Sequence, residues 1–225
     1  MKMKKVLKNV SFMILLLNMC IIFRQETGLK KRIVINVGQG GKDSGAIGIN
    51  GIKEKNVVLN IGLEILRLNE KSEAPLNLYL IRYNDTLISL SDRTKLAKVL
   101  NADLFLSLNC NHSHNAIARG IEVYVGETHS EYSKESVWFA YQLQNQIKKH
   151  LGFDSRGLKF TNFQVLRETI NYFPSVFVEL GFLSNGEENG YFQKPKNLQV
   201  LAFVIWESLI KNLESYERIG NEGVI

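Results

Sequence analysis

RIVINVGQGG, residues 32–41, decides the fold: a β-rich apolar run ends in a glycine-rich turn. Arg32–Val37 is almost wholly apolar rather than alternating, which is the pattern of a strand covered on both faces. Working outward, similar short runs recur between stretches of helical period. Leu76–Arg82, Asp103–Asn109 (DLFLSLN), Gly120–Val125, Phe163–Arg167 and Ser175–Leu180 read as further strands. Glu54–Glu70 sets Val57, Val58, Ile61, Ile65 and Leu68 on one helical face. A second helix runs to about Leu100 with Ser91 as its cap, and a third, Ser130–Leu151, is ended by Gly152. Pro195–Tyr216 reads as the last. Strand–helix alternation predicts an α/β fold in a single domain: a mostly parallel twisted sheet with helices on both faces.

The chain has 225 residues, 45% of them hydrophobic, enough for one substantial core. Its formal charge of +6 is concentrated at the start. Lys2, Lys4, Lys5, Lys8 and Arg24 have no acid among them, and the remainder is nearly neutral. Such a domain has no electrostatic footprint for phosphate backbones, so nucleic acid is excluded as a partner. The lysines precede the apolar run Ser11–Phe23 (SFMILLLNMCIIF), which is short for a membrane span and suits a secretory signal. Residues 1–24 are therefore expected to be a signal peptide or membrane anchor, and 25–31 a linker. The main domain is expected over 32–216 and a tail over 217–225. Leu17–Cys20 (LNMC) weakly matches a lipoprotein attachment site. Only Cys20 and Cys110 are present, so the exported portion has one thiol and no internal disulfide.

Ligands in such sheets sit beyond the carboxyl ends of the strands. That selects Gly38–Gly41, Asn109–Asn111 and Glu179. Phosphate-loop readings fail, because Asp43 stands where a dinucleotide fingerprint needs its third glycine and Gly41-Lys42 is followed by Asp43 rather than Ser or Thr. The helix also begins too far downstream to aim its N-terminus at the loop.

The ordered markers VGQGGKDSGAIG (37–48), KEKNVVLN (53–60), SLSDRT (89–94), ADLFLSLNCN (102–111), RGIEVY (119–124), NFQVLRET (162–169) and VELGFLSN (178–185) resemble the zinc-dependent N-acetylmuramoyl-L-alanine amidases of bacterial cell walls. The likeness runs from about Arg32 to Leu213. It implies a zinc held by two histidines and a glutamate, with a second glutamate as general base, hydrolysing the bond between the muramic lactyl group and L-alanine. Carried over by position, the ligands fall at residue 39, Glu54 and residue 109, and the catalytic base at Glu179. The sequence departs from the pattern at two of these: Gln39 and Asn109 stand where the family has histidine.

Carboxamide oxygens are neutral and weakly basic, and zinc prefers imidazole, thiolate and carboxylate. Loss of zinc hydrolysis is the direct expectation, with no zinc bound. Without a cation, Glu54 and Glu179 would repel and one pKa would rise. Gln39 and Asn109 are expected to donate to Glu54 in place of the metal. Cys110, next to Asn109 on a strand, should face away as a buried small hydrophobe. His112 and His114 read as surface-loop residues, and His129 and His150 as solvent-facing. Arg167, Arg93 and Arg119 fit either structural ion pairing or a grip on stem-peptide carboxylates. One helix and little else is expected between Val125 and Asn162, leaving an open groove.

Three functions remain. The first is an exported, degenerate amidase-like domain that binds peptidoglycan stem peptides or an envelope protein in the periplasm or cell envelope. The others are an active amidase and a structural envelope protein.

Overall fold

The computed structural model describes residues 31–222. Segment 1–24 and all but the last residue of the expected linker lie outside them. So do residues 223–225 of the expected tail. No described helix is long and apolar enough to cross a membrane.

Six strands form one sheet: β1 (Arg32–Val37), β2 (Asn77–Leu80), β3 (Leu104–Asn111), β4 (Ile121–Gly126), β5 (Ser155–Thr161) and β6 (Ser175–Phe182). Their spatial order is β2-β1-β3-β6-β4-β5. Every pairing is parallel except β4 against β6. The helices are α1 (Glu54–Glu70), α2 (Leu90–Val99), α3 (Ser133–Leu151), α4 (Gln164–Arg167), α5 (Gly186–Phe192) and α6 (Pro195–Glu222).

The apolar strands divide their side chains between two cores, as the unbroken β1 pattern requires. Ile33, Ile35 and Val37 join the larger one with Val57, Ile61 and Ile65 of α1, Phe139 and Leu143 of α3, and Leu201 and Ile205 of α6. Val34 faces the other way, into a smaller core with Phe105, Ala97 of α2, and Val165 and Leu166 of α4. The site lies where β1, β3 and β6 run out beyond these layers.

Four local expectations are corrected. Phe163–Arg167 is not a strand: Gln164–Arg167 makes one helical turn, with Val165 and Leu166 buried in the smaller core. The strand is instead Ser155–Thr161, an edge strand that is largely exposed and so carries no apolar signature. It also means that the stretch between Val125 and Asn162 holds a strand as well as a helix. The cap of α2 is Ser89 rather than Ser91, its side chain accepting from the Asp92 N–H at 3.1 Å. The final helix extends past Tyr216 to Glu222. Gly152 does end α3, in the left-handed conformation at φ 72°, with its N–H on the Lys148 carbonyl.

Candidate functional site

The turn after β1 is held by two buried arginines. Arg93 donates from Nε to the Ile88 carbonyl at 2.8 Å and from Nη1 to Asn36 Oδ1 and the Val37 carbonyl at 2.6 and 2.9 Å. Its Nη2 reaches the Gln39 carbonyl at 2.6 Å. Arg82 donates to the carbonyls of Val37, Asn84, Gly38 and Lys55. Together they fix Gln39 at φ 58°, a left-handed backbone that a non-glycine residue adopts only when its surroundings enforce it. Arg82 was not singled out from sequence; a lone cation closing an apolar run was the available signal.

Glu54 opens α1 and is buried. Its Oε2 accepts from the Ala46 N–H at 2.8 Å, and its Oε1 from the Cys110 N–H at 3.1 Å and from Gln39 Nε2 at 3.3 Å. Burial raises its pKa above the usual carboxylate range, and the three hydrogen bonds pull against that. Gly45 makes room for this arrangement: a Cβ there would lie 2.2 Å from Glu54 Oε2 and 2.5 Å from Gln39 Cγ.

Gln39 thus donates to Glu54 as expected, but Asn109 does not. Asn109 Nδ2 donates to Ser107 Oγ at 3.0 Å, and Asn36 Nδ2 donates to the same oxygen at 2.9 Å. Asn109, Ser107 and Asn36 form a neutral ladder beneath the β1 turn. The reason is positional: Asn109 and Ser107 are two apart on β3 and share a face.

Glu179 pairs in register with Asn109 on one side and with Glu122 of β4 on the other. Its Oε2 is buried with no hydrogen-bond partner. Burial, then the charges of Glu54 and Glu122, push its pKa up to about 8. Glu122 behaves oppositely. Burial would raise it, but Lys159, Arg156 and Tyr124 outweigh that and bring it to about 2. The hydrogen bonds run from Arg156 Nε at 2.6 Å, Lys159 Nζ at 2.8 Å and Tyr124 Oη at 2.7 Å. Two carboxylates face each other across one strand pair, one ionised by its partners and one denied them. Glu122 was overlooked in the sequence, although a single acid inside the apolar run of β4 marks it.

The remaining expectations resolve individually. Cys110 is buried in the larger core, and burial pushes its thiol pKa well up. His112 and His114 are exposed, their rings edge-on at 6.1 Å, and His129 and His150 are exposed too. Arg93 is spent on backbone carbonyls and the Asn36 side chain. Arg119 pairs with Asp154 at 2.9 Å and with Glu187. Arg167 is exposed and donates to the carbonyl and side chain of Asn162 at 2.9 and 3.0 Å. All three make structural contacts.

The positions that the resemblance assigns to zinc hold one carboxylate and two carboxamides, and the carboxylate is already engaged by three N–H donors. Among the described residues no group of three or more His, Cys, Asp or Glu is placed to hold a metal. This donor set does not fit zinc.

Residues 33–211 match the domain family described as N-acetylmuramoyl-L-alanine amidase. The chain belongs to that family. It is 36% identical over 157 residues to the N-acetylmuramoyl-L-alanine amidase LytC of Bacillus subtilis, a match covering 69% of this chain and 30% of LytC. It is 32% identical over 188 residues to the uncharacterised protein YqiI of the same organism, covering 83% of this chain and 84% of YqiI. Among solved structures, the catalytic domain of the amidase CwlV from Bacillus (Paenibacillus) polymyxa var. colistinus superposes with a TM-score of 0.73 at 30% identity, covering 82% of this chain and 98% of that one. The chain thus spans nearly all of the CwlV catalytic domain but only about a third of the length of LytC.

Proposed function

We propose that this chain is an exported, amidase-family domain of the cell envelope that binds peptidoglycan without cleaving it by zinc hydrolysis. One observation carries the reading. Glu54, the one family ligand retained, is closed off by hydrogen bonds from Ala46, Cys110 and Gln39, while Asn109 turns to Ser107. A carboxylate engaged by three donors, with carboxamides beside it, lacks the imidazole nitrogens that a zinc site draws on. Family membership supports the peptidoglycan half of the reading, and the donor chemistry supports the loss of hydrolysis. Arg167, exposed and held by Asn162 through Nη1, is the candidate grip for a substrate carboxylate.

The test pairs the natural protein with a Gln39→His, Asn109→His double variant. Metal content and peptide release from muropeptides are measured for both. The natural protein is expected to hold far less than one equivalent of zinc and to release nothing, while the variant gains roughly one equivalent. Natural protein that carries stoichiometric zinc and releases peptide restores the ordinary catalytic assignment.

A further inference from the structure

A row of polar side chains crosses four strands on one face of the sheet. Asn109 of β3 is in register with Glu179 of β6, and Glu179 with Glu122 of β4. Register partners project from the same face. The row ends on the edge strand β5, where the pairing is irregular. Ile121 faces Ser155 and Val123 faces Leu158, so Glu122 alone opposes both Arg156 and Gly157. This is a β-bulge, and Gly157 supplies its positive φ of 88°. In a regular strand Arg156 and Lys159, three apart, would point to opposite faces. The extra residue brings both to the Glu122 side. Arg156 Nε and Lys159 Nζ donate there to the same atom, Glu122 Oε1, at 2.6 and 2.8 Å.

The burial of the three groups is unequal. The Glu122 side chain is 4% exposed, whereas those of Arg156 and Lys159 keep 40% and 44%. A carboxylate buried at a desolvation cost thus fixes two cations that remain open to solvent. Aromatic rings hold them further, Phe182 at 5.1 Å from the Arg156 guanidinium and Tyr124 at 5.7 Å from Lys159 Nζ. Donors are left over. Arg156 Nη1 makes only a 3.4 Å bond to the Arg119 carbonyl, Nη2 has no partner among the described residues, and Lys159 spends one of its three N–H groups on Glu122. Two cations against one carboxylate leave a single net positive charge, matched to a single carboxylate on a ligand.

Position supplies the rest. β5 lies two strands from β6, which puts the pair about 10 Å from Glu179 at about 4.8 Å per strand. Glu179 Oε2, buried without a partner, marks the other end of that interval. An extended peptide advances about 3.3 Å per residue, so the interval spans about three residues.

We infer that Arg156 and Lys159, held together by Glu122 and the Gly157 bulge, bind a carboxylate of an extended peptide that lies across β4 from Glu179. The inference rests on the peptidoglycan reading above and names the side chains that recognise its peptide part.

The probe is N-acetyl-L-alanyl-γ-D-glutamyl-L-lysyl-D-alanine in two forms, with its carboxylates free and with both converted to carboxamides. Calorimetry measures binding of each to the full chain, and retention on intact sacculi is measured in parallel. The free acid is expected to bind at least about tenfold more tightly than the amide, the size of one charge-assisted contact. Lys159→Met and Arg156→Met should each reduce that preference, and Lys159→Arg should keep it. Thermal melts establish that the variants fold, and the comparison of the two peptides on the natural protein needs no variant. Equal binding of the two forms, or a preference untouched by Lys159→Met and Arg156→Met, overturns the assignment. Retention on sacculi with neither peptide bound also overturns it and leaves the peptidoglycan reading standing. Preference for the acid without retention on sacculi supports the carboxylate site and counts against that reading.

Discussion

Replacing Glu179 by glutamine should stabilise the protein at alkaline pH and leave it unchanged in acid. The Glu179 carboxyl is pushed from 4.5 to about 8, by burial first and then by the charges of Glu54 and Glu122. Between those two values the folded chain holds a proton that the unfolded chain releases. The contribution of Glu179 to stability is therefore most favourable below pH 4.5, falls as pH rises towards 8, and levels off above it. At about 1.4 kcal/mol per unit, the loss is at most about 5 kcal/mol, and water entering the pocket will reduce it. A carboxamide of the same shape has no proton to lose. Urea unfolding of both proteins, at intervals from pH 4 to pH 9, gives the difference directly. The gap between Glu179→Gln and its parent should open from near zero at pH 4 to several kcal/mol at pH 9. Parallel curves across this range would refute the reasoning, since they would mean that Glu179 ionises in the folded state as easily as in water.

Gly45→Ala should destabilise by about 1–3 kcal/mol in urea melts, because residue 45 sits at φ 62° and a Cβ there meets the Glu54 carboxylate. Arg93→Ala, which leaves several buried carbonyls unpaired, should cost about 3 kcal/mol or more, whereas Arg167→Ala at the surface should stay within about 0.5 kcal/mol. In a Cys20→Ser background, Cys110 should fail to react with Ellman's reagent in native buffer and react fully in urea, as a buried thiol with a raised pKa requires.

The strands that lie between two cores were legible because burial on both faces leaves a mostly apolar run without alternation, as in β1, β3 and β6. The edge strand β5 was not, since exposure removes the need for apolar residues and Ser155–Thr161 has no period to read. Phe163–Arg167 misled for the opposite reason: a single helical turn buries two adjacent apolar residues and looks like a short strand. At the site, Gln39 and Glu54 share a hydrogen bond, and Asn109 and Glu179 are register partners on β3 and β6. Hydrogen-bond direction was legible only in part. Gln39 reaches Glu54, but strand parity gives Asn109 a nearer partner in Ser107. The pairing of Glu122 with Arg156 and Lys159 depends on β5, so missing that strand hid it.

The two glutamates stand on different physical footings. Glu54 has a structural task independent of any metal: its carboxylate ties the 39–46 turn and the end of β3 to the start of α1 through Gln39, Ala46 and Cys110. Its presence is explained by folding. Glu179 has no such task. A buried carboxylate oxygen without a partner, facing an ionised Glu122, works against stability near neutral pH, and glutamine or leucine would serve the fold better. Residues that weaken a fold without local compensation belong to sites that bind something. On the reading proposed above, Glu179 below pH 8 is a carboxylic acid, able to donate a hydrogen bond where an amidase would have it take a proton.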